Sequence, residues 1–155
     1  MGQSSGQLDG SARASAMRLL VAREHTVMEV TRKLISRGHD RLHVKDVLDE
    51  LTDEGLQSDE RFAEVYVHSR IQKGYGPSHI ARSLREKGVE DHLINQYLSL
   101  TDGEWLSVAK GTLDKRFPTA AVLNQKDWDR RARFLSSRGF SGAMIYKTLP
   151  EKRWD

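Results

Sequence analysis

The sequence predicts an all-α protein made of three tandem three-helix repeats. Three observations predict it. From Ser11 onward, apolar residues recur at spacings of three and four, the period of a helix with one buried face. Among 155 residues there are only 3 Pro, and no segment alternates Val, Thr or Tyr with polar residues as a half-buried strand would. Finally, one arrangement of apolar, basic and glycine residues returns at a nearly constant interval.

The elements follow in order. The opening MGQSSGQLDG has almost no apolar content, and residues 1–11 are expected to form a flexible tail. The first repeat, residues 12–54, begins with Ala12, Ala16, Leu19 and Leu20 as one stripe, ending near Arg23. Thr26-Val27-Met28-Glu29 has the Thr-x-x-Glu form of a capping box, in which Glu29 reaches back to the Thr26 amide. The helix it opens carries Val27, Val30, Leu34 and Ile35 and stops at Arg37-Gly38, a basic last turn followed by glycine. A third helix bears Leu42, Val44, Val47, Leu48 and Leu51 and closes before Gly55.

The second repeat, residues 55–100, opens at Ser58-Asp59, with Phe62, Val65, Tyr66 and Ser69 on one side. Gly74-Tyr75-Gly76-Pro77 is a turn, and Pro77 suits the first position of the next helix, where no amide hydrogen is needed. That helix bears Ile80, Ala81 and Leu84 and ends at Lys87-Gly88, before a short one with Leu93, Ile94, Tyr97 and Leu98. The third repeat, residues 101–149, begins with a second Thr-x-x-Glu box at Thr101 and Glu104. It continues through Trp105, Leu106, Ala109 and Leu113, then Trp128, Ala132 and Leu135 up to Arg138-Gly139, then Met144, Ile145 and Leu149. Residues 150–155 are left as a C-terminal tail.

The stopping glycines test the repeat. Gly38, Gly88 and Gly139 lie 50 and 51 residues apart. Four residues before each stands Leu34, Leu84 or Leu135; six after, Val44, Ile94 or Ile145; ten after, Leu48, Leu98 or Leu149. Each glycine also follows a base, Arg37, Lys87 or Arg138. Four agreeing offsets in three copies are not a coincidence of composition.

Composition removes many functions. With no cysteine there is no disulfide scaffold, no thiolate metal site and no thiol nucleophile. No apolar run approaches the roughly 18–20 residues that span a bilayer, and the N-terminus lacks the basic start and apolar centre of a secretory signal. The formal charge of +3 conceals a segregation. The middle helices carry a net +2 over residues 26–37, +2 over 77–87 and +3 over 125–138, through Arg32, Lys33, Arg37, Arg82, Arg85, Lys87, Lys126, Arg130, Arg131, Arg133 and Arg138. After Gly38 the sign reverses, with Asp40, Asp46, Asp49, Glu50, Asp53 and Glu54 against Arg41 and Lys45. Two readings fit. Solvated faces and bases that complement helix C-termini account for much of it. Alternatively the middle helices offer cations to a polyanion, and the acidic helices offer carboxylates to a basic protein.

The constellations that look chemical are weak. His39 and His43 have the i, i+4 spacing of a helical metal pair, but no third ligand motif accompanies them. Asp46, Asp49, Glu50 and Asp53 read as the outer face of a helix whose inner face is Val47, Leu48 and Leu51. The Gly74-Tyr75-Gly76-Pro77 turn lacks the Lys-Ser/Thr of a phosphate loop. Tyr75 between its glycines is the expected exposed aromatic, whereas Trp105 and Trp128 lie on apolar stripes and belong to the core. No catalytic, metal or cofactor-binding residue is assigned, and the chain is not expected to be an enzyme.

Several stretches resemble the RecX family of regulatory proteins. They are Asp59-Glu60-Arg61-Phe62-Ala63, Lys73-Gly74-Tyr75-Gly76-Pro77 and Leu84-Arg85-Glu86-Lys87-Gly88-Val89, flanked by Leu19-Leu20 with Arg23-Glu24-His25 and by Phe134-Leu135 with Arg138-Gly139. The resemblance covers roughly residues 12–149. It implies an elongated, curved array of the three repeats and a cytoplasmic, monomeric regulator of the recombinase RecA. Such a protein binds the groove of the RecA–DNA filament and mostly inhibits its recombinase, ATPase and co-protease activities in DNA repair and the SOS response. DNA, single- or double-stranded, is then met weakly or through RecA, with no cofactor and no membrane. The family supplies no short active site, so the contact candidates are ranked by charge and position: Arg32, Lys33, Arg37, Lys73, Tyr75, Arg82, Arg85, Lys87, Arg130, Arg131, Arg133 and Arg138. The alternative is a direct DNA-binding protein with tandem helix-turn-helix-like units, since three-helix units with a basic helix describe those domains too.

Overall fold

Helix signals written in the sequence are realised as hydrogen bonds. The structure, a computed structural model, describes the backbone of residues 2–119 and 121–152 and the side chains of 12–119 and 121–152. The expected tail over residues 1–11 therefore lies outside the described side chains, as do residues 153–155. Among the described residues there are nine helices and no strand: α1 (Gly2–Ala22), α2 (Val27–Ser36), α3 (Arg41–Asp53), α4 (Asp59–Gln72), α5 (Pro77–Glu86), α6 (Asp91–Tyr97), α7 (Asp102–Arg116), α8 (Gln125–Ser137) and α9 (Gly142–Thr148).

Both capping boxes form. The Thr26 hydroxyl accepts from the Glu29 amide at 3.0 Å while the Glu29 carboxylate accepts from the Thr26 amide at 3.1 Å, and Thr101 with Glu104 does the same. Asp40, Asn124 and Ser141 are further N-caps, each accepting from the amide three residues on. At the stops, Gly38 (φ +95°) and Gly139 (φ +99°) occupy the left-handed region that a Cβ disfavours. There the amides of Gly38 and His39 return to the Ile35 and Leu34 carbonyls, and those of Gly139 and Phe140 to the Ser136 and Leu135 carbonyls. This is the Schellman closure, which satisfies two otherwise orphaned carbonyls at each end.

Packing divides the chain differently from its sequence period. One compact unit comprises Met1–Val65 with Arg85–Glu90, the other Tyr66–Leu84 with Asp91–Asp155. The middle third of the sequence is thus shared. In the first unit α1, α2 and α3 each pack on the other two, around Ala16, Val30, Leu34, Val44, Val47, Leu48 and Leu51. In the second, α7, α8 and α9 do likewise, with Trp105, Ala109, Leu113, Trp128, Leu135, Ile145 and Leu149 buried. Trp105 and Trp128 are core, and the Trp128 indole finds its acceptor in the Pro150 carbonyl at 2.9 Å.

Of the apolar residues that align across the three sequence copies, all but the half-buried Leu98 leave water. Leu34, Leu84 and Leu135 are all fully buried, and Val44, Ile94 and Ile145 nearly so. Burying each such side chain is worth about 1.5–3 kcal/mol. Three expected stripe residues differ: Val27, Leu42 and Val65 are exposed. Leu42 is the second residue of α3, before the turn that presents Val44, and in α4 the inner face is Phe62, Ala63 and Val67.

Candidate functional site

The candidate residues sit on or beside the middle helices α2, α5 and α8, and the structure sorts them into exposed cations and buried or half-buried ones. In the first unit Arg32 and Arg37 are exposed on α2 and its C-cap. Lys33 is held: its ammonium lies 3.1 Å from Nε2 of the buried His25, whose Nδ1 lies 3.0 Å from the Arg23 carbonyl. These partners make Nδ1 the protonated nitrogen and Nε2 the acceptor of a neutral ring. Burial pushes the His25 pKa below 6.5; Arg23 and Lys33 charges add to this, against the hydrogen bond from Nδ1 to the Arg23 carbonyl.

Below His25, the start of α2 is seated on residues 86–88. The Thr26 hydroxyl donates to the Lys87 carbonyl at 2.7 Å, and the Arg32 guanidinium reaches the Glu86 carbonyl at 3.5 Å. Glu29 joins Arg23 at 3.2 Å and Lys87 at 3.9 Å. Burial alone raises the Glu29 pKa, but hydrogen bonds from Arg23 and the Thr26 amide, with the Arg23 and Lys87 charges, bring it below the ordinary carboxylate value. Lys87 is half-buried here and Arg85 is exposed.

The second unit repeats this seating with other chemistry. At the start of α5, the Gly76 amide donates to the Arg138 carbonyl at 2.7 Å and the Ser78 amide to the Gly139 carbonyl at 3.1 Å. The Arg138 guanidinium donates to the Lys73 carbonyl at 3.3 Å and lies over the Tyr75 ring, 4.7 Å from its centroid. On Tyr75 the His79 ring stacks at 4.4 Å. Tyr75, expected to be exposed, is half-buried. The reason is that its flanking glycines serve close backbone approach rather than display. A Cβ on Gly76 would stand 2.6 Å from the Gly139 carbonyl.

Arg131 departs furthest from expectation. Read as a surface cation, it is 5% exposed. Its guanidinium donates to the Thr119 and Ala121 carbonyls at 2.9 and 3.2 Å and to Asp127 at 3.3 Å, and it lies over Phe117. It ties the segment after α7 to α8, a long-range role that no local spacing announces. Asp127, which also accepts from Arg130 at 3.0 Å, sits below its ordinary pKa: burial raises it, but the Leu123 amide and the two arginines outweigh that. Arg130 keeps an exposed side chain despite its pair, and Arg133, Arg82 and the Lys73 side chain are exposed without an ion pair among the described residues.

Sequence reasoning missed Lys115 and Arg116, two bases in the last turn of α7. Their signal was present, a basic pair just before Phe117-Pro118, but it fell outside the middle-helix pattern. No group of three or more His, Asp or Glu side chains that could hold a metal occurs among the described residues, and no helix there is long and apolar enough to cross a membrane.

Comparison with known proteins gives this architecture relatives. Residues 12–51 match the family profile described as "RecX, first three-helix domain", and residues 58–98 that described as "RecX, second three-helix domain". The Regulatory protein RecX of Halorhodospira halophila is 40% identical over 140 residues, covering 90% of this chain and 87% of the relative. That of Pseudomonas tolaasii is 37% identical over 145 residues, 94% of each chain. Among solved structures, RecX from Lactobacillus salivarius superposes with a TM-score of 0.74 at 23% identity, covering 90% of this chain and 93% of that one, a likeness of fold.

Proposed function

Since the chain belongs to the RecX family of regulatory proteins, we propose that it is a cytoplasmic, monomeric, non-enzymatic regulator of RecA. It binds in the groove of the RecA–DNA filament, bridges protomers and hinders the changes needed for turnover or extension. The observation that carries this reading is the 40% identity to a regulatory protein over nine-tenths of the chain. The three repeats, residues 12–54, 55–100 and 101–149, supply successive weak contacts to successive protomers, and together gain avidity.

The geometry supports a narrower contact set than the sequence suggested. Lys33, Arg131, Arg138 and Tyr75 are buried or half-buried and bonded within the protein, so the filament is met through the exposed cations Arg32, Arg37, Lys73, Arg82, Arg85, Arg130 and Arg133. Lys87 stays with Glu29. The test reverses two charges on α5. Arg82→Glu with Arg85→Glu is expected to raise the concentration for half-inhibition of RecA ATPase by about tenfold or more, with helicity by circular dichroism unchanged. Inhibition equal to the wild type's sinks the basic-surface reading. Binding to bare single-stranded DNA, measured over a salt series with and without RecA and ATP, separates the alternative. Tight binding at physiological salt that RecA does not alter identifies a direct DNA binder.

A further inference from the structure

An unassigned concavity lies in the second unit, where the end of α4 and its turn, α7 and α8 border an open cleft of about 380 Å³. That is within the range of small-ligand sites, roughly 300–1,000 Å³. Its charged lining has one sign. Lys73, Lys115, Arg116 and Arg138 border it, and no carboxylate does. Among the described residues Lys73, Lys115 and Arg116 make no ion pair, although Asp114 stands next in sequence and is taken by Lys110 at 3.4 Å. Cations gathered in a concavity with low-dielectric walls repel one another and focus a positive potential, which an anion would relieve.

A second observation points the same way. Gly111 lies inside α7 and lines this cleft, yet a Cβ placed there would meet nothing within 4 Å. Glycine in a helix interior is destabilising, and here neither a positive φ nor a packing neighbour requires it. Its effect is to keep one wall open beside the four cations. Phe134 adds an apolar surface on the α8 side.

We propose that this cleft binds a multiply charged phosphate ligand of about nucleotide size, held by Lys73, Lys115 and Arg116, with Arg138 lining its wall. Terminal cations at the end of α7 also complement its helix dipole, but that role needs neither the concavity nor the glycine. The ligand's phosphates come either from a free polyphosphate or nucleotide, or from a stretch of nucleic-acid backbone. Lys73 is shared with the proposed filament contacts, so the variants that test the cleft leave it in place and the two readings fail separately.

Calorimetric titration of the full chain at low ionic strength with tripolyphosphate, a nucleoside triphosphate and oligothymidylate tests it. Saturable binding of at least one of the three is expected. Lys115→Gln with Arg116→Gln should weaken it about tenfold or more, since two charge-assisted contacts are lost. Lys126→Gln with Lys147→Gln, the same charge removed elsewhere in that unit, should leave it within about twofold. Gly111→Gln should raise the melting temperature by about 1–4 °C through helix propensity while weakening binding, a pair of opposite signs that misfolding cannot produce. Binding of oligothymidylate alone identifies a nucleic-acid source, and binding of tripolyphosphate or the nucleotide a free one. No saturable binding, equal losses in the two double variants, or undiminished binding by Gly111→Gln overturns the proposal.

Discussion

The starts of α2 and α5 do the same job with different chemistry. Each rests on a segment that ends in base and glycine, Lys87-Gly88 in the first unit and Arg138-Gly139 in the second. At the first, side chains make the contact: a threonine hydroxyl to a carbonyl, and a carboxylate between Arg23 and Lys87. At the second, backbone meets backbone through the Gly76 and Ser78 amides, and aromatic rings pack beneath a guanidinium. One repeat motif therefore fixes where a helix is seated without fixing what holds it. The first seat should be tunable by pH and salt, and the second the more sensitive to steric change. A Cβ on Gly88 would meet the Met28 side chain, whereas one on Gly139 would meet the His79 backbone.

The sharpest way to break that contrast is a methyl group. At Gly139 a Cβ would lie 2.5 Å from the His79 backbone nitrogen, besides the cost of its φ of +99°. Gly139→Ala should cost about 3–5 kcal/mol, the left-handed penalty plus a forced backbone shift. Gly38 holds the same repeat position and a φ of +95°, but nothing lies within 4 Å of its Cβ. Gly38→Ala should cost only about 1 kcal/mol. Denaturant unfolding of both variants checks the gap; equal losses would mean that Gly139 closes a helix and seats nothing.

Those two glycines also mark how far the sequence could be read. That both end helices was legible, because a basic last turn, a glycine and a fourfold offset are local signals. That one of them is a contact and the other is open was not, because the difference is made by His79, sixty residues from Gly139. The same division holds for the site. Arg82 and Arg133 are exposed cations as the pattern implies, but Arg131, two residues from Arg133 on the same helix, is turned inward by the Thr119 and Ala121 carbonyls. Spacing tells which residues share a helix face. It does not tell which loop will later cover that face.

The next effect in size is acid sensitivity of the first seat. Glu29 has its pKa lowered by Arg23, Thr26 and Lys87 against the opposing effect of burial, so the stability it contributes is complete above the unfolded value of 4.5 and lost as pH falls through the folded one. His25, kept neutral by burial, works in the same direction: its contribution is whole above 6.5 and declines as pH falls from there toward its lowered folded value. Opening free energies of the α2 amides, from native-state hydrogen exchange, should therefore fall in two steps between neutral and acid pH. Glu29→Gln should remove the lower step, at a cost of about 1–2 kcal/mol at pH 7. A wild-type profile flat across both ranges would mean that the charges around Glu29 are ornamental to the seat.

The smallest expected effect isolates the charge at the position where the two seats correspond. Lys87 contributes to the first seat twice, through its carbonyl, which accepts from Thr26 at 2.7 Å, and through its ammonium, 3.9 Å from Glu29. Lys87→Met keeps the carbonyl and most of the side-chain stem while removing the ammonium. Since the lysine is one-third exposed and the pair is at the limit of contact, its loss should cost at most about 0.5–1 kcal/mol. Half of that difference or more should vanish in high salt, where exposed charges are screened. Such a result would place the holding force in the Thr26-to-carbonyl bond and make the two seats alike in their essential acceptor, a helix-terminal carbonyl, with the ion pairs an addition. A loss above about 2 kcal/mol that salt leaves intact would instead make the ammonium indispensable, and the first seat would then be held chiefly by charge.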